Sequence, residues 1–329
     1  MALLRDHQDD LSALTAAAAE ALGIDPAFVE KDFWVIEVLR AAVVPVKVAA
    51  KDRQSYEVQT IFKGGTSLSR VFGIIERFSE DVDLLISFPQ VETSGRARDN
   101  VFKHIRDAVA AHLGRAGKQS DVTTGVKRNI RYPYPARFGS GDVTEGVLLE
   151  MGSRGGTYPT QQHHLRSMVA DFAIESLGEE PDAWEEFEQV PVDVLSPERT
   201  LLEKLSLLHD AASRYPDPKA RAKLLGGGRH LYDVHQLLTS EPVLAALTQL
   251  GRDGVIGLCR DIDAHSEQAE FSFTSRPDEG FGHSPICVAE SECQEALRQG
   301  HQAAMPLIYG DRPTFDDCIH AISAQTQLL

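Results

Sequence analysis

Two aspartates spaced two apart, Asp81 and Asp83 in the run RFSEDVDLLIS, are the residues of this chain best placed to do chemistry. Successive side chains of a strand alternate faces, so positions i and i+2 point the same way. Two carboxylates on one face at that spacing can share a hard divalent cation. Just upstream, Gly64, Gly65, Thr66 and Ser67 in FKGGTSLSR make a glycine turn that runs into a helical pattern. Main-chain N–H groups in such a turn can donate to phosphate oxygens. Carboxylates for a metal beside a phosphate cradle point to chemistry on a nucleotide. A two-metal phosphoryl-transfer centre wants a further carboxylate from a neighbouring strand, and Glu150 in VLLEMGSRGG is the candidate. Burying a carboxylate after Val147, Leu148 and Leu149 is costly without a cation or a partner. The alternative is an edge-strand glutamate that faces solvent.

Lys204 in SPERTLLEKLSLL is flanked by leucines on a helix. It either snorkels to the surface or reaches into a cleft and offsets triphosphate charge. Asp233 in RHLYDVHQLL is either a surface charge or a carboxylate that orients Lys204 or the substrate. Arg77, just before the aspartate strand, pairs with an acidic residue or with a phosphate. His163, His164 and His209 read as structural: adjacent histidines point apart in either a strand or a helix. No nucleophile-elbow motif supports Ser/His/Asp catalysis.

The elements that must position these groups are legible in part. Asp6 to Leu22 and Ala27 to Val43 read as helices separated by Gly23 and Pro26. Val58 to Lys63 reads as a short strand entering the glycine turn, Thr66 to Ile75 as a helix, and Asp81 to Phe88 as a strand. Asp99 to Leu113 is helical in pattern, and strands are expected near Asp121 to Val126 and Val143 to Met151. The second half is mainly helical. Ser196-Pro197 starts a helix that runs to about Ala212. Tyr215 to Gly228 reads as a loop, His230 to Leu238 as a helix, and Glu270 to Pro285 as an irregular connection. Thr314 to Asp317 looks like a capping box that opens a last helix.

The 329 residues suffice for two domains or one elaborated domain. With 42% hydrophobic and 25% charged residues the composition is that of a globular protein. No segment is long and apolar enough to span a membrane, and the acidic start is unlike a signal peptide; a cytoplasmic location is expected. Cys259, Cys287, Cys293 and Cys318 form no C-x-x-C pair and read as free thiols. The net charge of −16, from 33 basic and 49 acidic residues, opposes a nucleic-acid partner unless basic groups cluster locally. Two segments offer clusters, Lys118 to Arg137 and Arg214 to Arg229; each is either a nucleic-acid contact or a solvated face.

Taken together, these blocks resemble the AbiEii/AbiGii toxin family of nucleotidyltransferases, within the DNA polymerase beta-like superfamily. FVEKDFWVIEVL resembles the family's N-terminal helix pattern, FKGGTSLSR its glycine motif, and RFSEDVDLLIS its double-aspartate strand. LLEMG resembles the third-carboxylate strand, SPERTLLEKLSLL and RHLYDVHQLL the lysine and aspartate motifs, and MPLIYGDRPTFDDCIHAI the closing helix. One departure is His230, which stands where the family's helical motif often has a first aspartate. The resemblance implies an α+β fold: a polymerase beta-like nucleotidyltransferase mixed-sheet core, N-terminal helices and a C-terminal helical domain. The corresponding boundaries are 1–45, 46–160 and 161–329. It also implies that Gly64, Gly65, Thr66 and Ser67 hold nucleotide phosphates and that Asp81 and Asp83 bind Mg²⁺, with Mn²⁺ as the substitute. Glu150 completes the metal site or activates the acceptor, Lys204 contacts the triphosphate, and Asp233 supports it.

The implied reaction moves a nucleoside monophosphate from an NTP to an acceptor hydroxyl and releases pyrophosphate. The implied setting is a toxin of a toxin–antitoxin or phage-defence system. It acts on RNA, with the tRNA 3′ end as the expected acceptor and a cognate antitoxin as a possible partner. Two other readings compete: a nucleotidyltransferase that modifies a protein or small molecule, which the acidic charge favours, and a catalytically silent binding protein of the same fold.

Overall fold

The computed structural model describes residues 2–139, 141 and 143–329. The chain divides into two compact units, each assembled from three segments. The first comprises residues 1–71, 79–153 and 160–194; the second comprises 72–78, 154–159 and 195–329.

The first unit opens with α1 (Gln8–Leu22) and α2 (Pro26–Ala42). Asp25 caps α2 by accepting from the Ala27 N–H, with Pro26 in the first turn. Then come β1 (Val46–Ala49), β2 (Ser55–Lys63), α3 (Gly64–Arg70), β3 (Asp81–Ser87), α4 (Gly95–Leu113), β4 (Lys118–Thr123) and β5 (Lys127–Tyr132). β6 (Val147–Gly152), β7 (Thr160–Leu165), α5 (Met168–Glu175) and β8 (Val190–Leu195) complete it. Among the described residues the strands form one eight-stranded mixed sheet in the order β4-β5-β6-β3-β2-β8-β7, with β1 paired to β2. Both β2–β8 and β3–β6 are parallel, whereas β2–β3 and β5–β6 are antiparallel. Val82, Leu84, Val147, Leu149 and Met151 enter the core. By alternation the other face of β3 and β6 is left to Asp81, Asp83 and Glu150, each partly exposed. α2 packs against α4, β3 and β6.

The second unit is helical: α6 (Pro197–Ser213), α7 (Pro218–Leu225), α8 (Gly228–Thr239), α9 (Glu241–Gln268), α10 (Glu292–Ala304) and α11 (Phe315–Ala324). Ser196 caps α6 as its Ser-Pro start predicts, and Thr314 with Asp317 forms the expected capping box of α11. α9 is kinked where Gly251 takes a non-helical conformation. Among the described residues no helix is long and apolar enough to cross a membrane. All four cysteines are free.

Three expectations are corrected. The helix read over Thr66 to Ile75 begins at Gly64 itself and ends at Arg70, since Gly73 adopts a left-handed φ of 61° and the chain peels away. The strand read over Asp121 to Val126 lies at Lys118–Thr123. Gly125, at φ 69°, turns the chain into β5, a strand that a basic sequence had masked. The loop read over Tyr215 to Gly228 contains α7, whose Asp217-Pro218 start is an ordinary cap followed by a first-turn proline.

Candidate active site

Strand register assembles the site of the first unit. Asp83 on β3 lies opposite Glu150 on β6, Glu150 lies opposite Asn129 on β5, and Asp83 lies opposite Lys63 on β2. Residues in register share a face, so Lys63, Asp83, Glu150 and Asn129 form a row across four adjacent strands. Asp81, two residues before Asp83, lies on that same face.

The row is electrostatically tense. Asp83 is partly exposed but closely surrounded by protein atoms, and this desolvation, together with the neighbouring Glu150 charge, pushes its carboxyl up to about 7. Asp81 adds to the effect, Lys63 opposes it, and Asp83 hydrogen-bonds Glu150. Below about pH 7 Asp83 therefore keeps its proton, or needs a cation in its place. Asn129 donates from Nδ2 to Glu150 Oε1 at 2.7 Å. Its Oδ1 is buried without a hydrogen-bond partner, an acceptor left open beside two carboxylates.

The glycine turn is shaped by this row. Gly64 has φ 85°, and a Cβ at that position would lie 2.2 Å from Asp83 Oδ2. Only glycine allows the turn to pass so close to the carboxylate. The hydroxyls of the next residues turn inward. Thr66 donates to the Asp81 carbonyl at 2.6 Å and lies 3.0 Å from the Ser79 hydroxyl, while Ser67 donates to the Gly64 carbonyl at 2.9 Å. These contacts tie α3 to the start of β3, so the Thr66 hydroxyl positions the aspartate strand.

The second unit holds Lys204 and Asp233 in an ion cluster of its own. Asp233 is fully buried. Arg77 grips it with two bonds, Nε to Oδ1 at 2.6 Å and Nη2 to Oδ2 at 2.8 Å. Lys204 Nζ lies 2.8 Å from Asp233 Oδ2 and 3.4 Å from His230 Nδ1. Burial opposes ionisation of Asp233, but the two cations outweigh it and hold its carboxyl well below the usual range. Burial, reinforced by Lys204, pushes His230 down to about 3, so it is a neutral acceptor for the ammonium. Two cations against one anion leave the cluster with one net positive charge. An aspartate in place of His230 would have cancelled it.

A divalent cation suits the donor set of the first unit: hard carboxylate oxygens, two of them side by side, and an open amide oxygen next to them. Among the described residues, no three His, Cys, Asp or Glu side chains are already gathered into a ligand shell. Mg²⁺ commonly uses only one or two protein carboxylates and completes its octahedron with water and substrate phosphates. The paired Asp83 and Glu150 fit that need.

The family model of the nucleotidyl transferase AbiEii toxins of type IV toxin–antitoxin systems matches residues 49–321. The chain belongs to this family. It is accordingly an AbiEii nucleotidyltransferase toxin, and an enzyme. No curated protein sequence matches the chain. Among solved structures, MenT4, a nucleotidyltransferase toxin from Mycobacterium tuberculosis H37Rv, is similar with a TM-score of 0.55. The two are 16% identical, over 95% of this chain and 88% of MenT4. Likeness at that identity concerns the fold, which is the expected α+β nucleotidyltransferase architecture.

In this AbiEii toxin the structure brings Asp83 and Glu150 into register, with Asp81 on the same face, and Lys204 onto Asp233. Sequence reasoning missed Asn129 and Lys63. Lys63 precedes the Gly-Gly turn, where alternation along a recognised β2 could have placed it beside the aspartates. Asn129 lay in a stretch read only for its positive charge.

Proposed function

We propose that this toxin transfers a nucleoside monophosphate from an NTP to the hydroxyl of an RNA acceptor, with the tRNA 3′ end as the favoured target, in a Mg²⁺-dependent reaction. The observation that carries the reading is the Asp83–Glu150 pair, held in register with Asp81 on the same face and pressed against the Gly64 turn. Asp81, Asp83 and Glu150 would hold the cation, which supplies charge neutralisation at the transferred phosphoryl group. The acceptor oxygen bonds to the α-phosphorus while the bond from that phosphorus to the bridging oxygen breaks and pyrophosphate departs. Glu150, oriented by Asn129, takes the hydroxyl proton. Gly64, Gly65, Thr66 and Ser67 approach the phosphates through their main chain, because the two hydroxyls are engaged within the fold. The cluster of Lys204, Arg77 and Asp233 carries one net positive charge, which suits it to a phosphate group.

A protein or small-molecule acceptor is the second reading, and one observation favours it. Several cations of the two basic segments are engaged within the protein: Lys127 with Asp121, Arg128 with Asp99, and both Arg214 and Lys223 with Asp210. The deciding experiment incubates the protein with each labelled NTP, Mg²⁺ and total RNA, with an Asp81→Ala/Asp83→Ala variant as control. Label on tRNA that vanishes in the variant supports the first reading. Label on protein alone supports the second. Label that persists in the double variant refutes the assigned site.

A further inference from the structure

Three consecutive ionisable residues of α2, Glu30, Lys31 and Asp32, are buried, a costly arrangement unless each is tied to a partner. Each is tied to a different segment. Glu30 accepts the main-chain N–H groups of Arg137 and Phe138 at 2.8 and 3.1 Å. Asp32 accepts the Met168 N–H at 2.6 Å and pairs with Arg70 at 2.7 Å. Lys31 does something more specific. Its ammonium, with a side chain 0% exposed, donates to the carbonyls of Thr144 and Gly146 at 2.6 and 2.5 Å and lies 3.1 Å from Glu80 Oε2. The same Glu80 oxygen accepts the Thr144 N–H at 3.0 Å, which closes the loop of contacts.

Glu80 immediately precedes Asp81 at the start of β3, and Gly146 immediately precedes β6. Because β3 and β6 are parallel, their starts lie side by side, and Lys31 joins both. A shift of either strand start would alter which β3 residue faces Glu150.

We propose that Lys31 is a positioning residue of the nucleotidyl-transfer site: one buried ammonium staples the entries of both carboxylate strands and so sets Asp81 and Asp83 against Glu150. The inference rests on the metal reading given under Proposed function. Groups that orient metal ligands from outside the ligand shell change metal affinity on the order of 10–100-fold when removed. Charge alone would act in the opposite direction, since deleting a cation whose field reaches Asp81 should tighten a divalent ion.

The test is Mn²⁺ binding, read from the electron paramagnetic resonance signal of the free ion, well below the melting temperature and without substrate. The chains compared are wild type, Lys31→Met, Glu80→Ala and Glu80→Gln, each checked for fold by circular dichroism. Lys31→Met and Glu80→Ala should each weaken Mn²⁺ about tenfold or more. Glu80→Gln keeps an acceptor for Thr144 and should stay within about threefold of wild type on that same scale. If Lys31→Met fails to fold, Glu80→Ala decides alone, since Glu80 is partly exposed and its truncation leaves Lys31 two carbonyl partners. Unchanged or tighter Mn²⁺ binding in a folded Lys31→Met, or in Glu80→Ala, overturns the inference and leaves the metal reading standing. No Mn²⁺ binding by the wild type overturns both.

Discussion

Replacing Asp83 with asparagine should stabilise the metal-free protein, increasingly so as the pH rises from the carboxyl's ordinary value of 3.8 to about 7. Below pH 4 the carboxyl is protonated in folded and unfolded chains alike and costs nothing. Between its ordinary value of 3.8 and its folded value of about 7, the native state keeps a proton that the unfolded chain has released, so stability falls as pH rises. Above pH 7 the full penalty is present. At about 1.4 kcal/mol per pH unit the interval sets a ceiling of about 4 kcal/mol. Partial solvent contact reduces this to roughly 2 kcal/mol. Asparagine resembles the protonated acid, because its N–H can donate to Glu150 without a charge. In EDTA at pH 8, Asp83→Asn should melt about 4–8 °C above wild type. At pH 5 the gap should shrink to roughly a third of that. Added Mg²⁺ at pH 8 should raise wild type and leave the variant unmoved. Differential scanning fluorimetry across pH 5 to 8.5 reads all three comparisons. A variant that melts below wild type at pH 8 in EDTA refutes the claim that this carboxyl is held against its preference.

Gly64→Ala places a methyl group on Asp83 Oδ2 in a left-handed backbone; it should cost more than about 1 kcal/mol of stability and on the order of 10²-fold in transfer rate, checked by labelled-NTP turnover beside a thermal melt. Asn129→Ala removes the amide that orients Glu150 and should lower turnover roughly tenfold with a near-native melt; wild-type turnover would show that Glu150 needs no such support. Asp233→Ala leaves Arg77 and Lys204 buried without their anion and should cost ~3–5 kcal/mol in urea unfolding. A loss below ~1 kcal/mol would mean that the cluster relaxes into water.

Local rules carried much of the site. The i, i+2 aspartates, the Gly-Gly turn, the Ser196-Pro197 start and the Thr314 capping box depend on neighbours within a few residues, where backbone geometry alone decides the outcome. Expectations failed where a single glycine redirected the chain, as Gly73 and Gly125 do, because a left-handed φ ends an element without altering the polarity of its surroundings. β5 was hidden for another reason. Its charged residues suggest a surface, yet Arg128 is buried against Asp99 at 2.8 Å, and a paired charge can enter a core that an unpaired one avoids.

The sequence by itself determined the chemistry on offer: carboxylates on one strand face, a turn only glycine can make, and a set of motifs specific enough to imply the family. Tertiary structure decided which groups meet. Glu150 reaches Asp83 through the register of two parallel strands, Arg77 grips Asp233 across 156 residues of sequence, and Lys31 ties the entries of β3 and β6. Strand register and buried ion pairing are cooperative properties of the packed chain. Spacing along the sequence supplies the partners, and only their burial together selects the pairs.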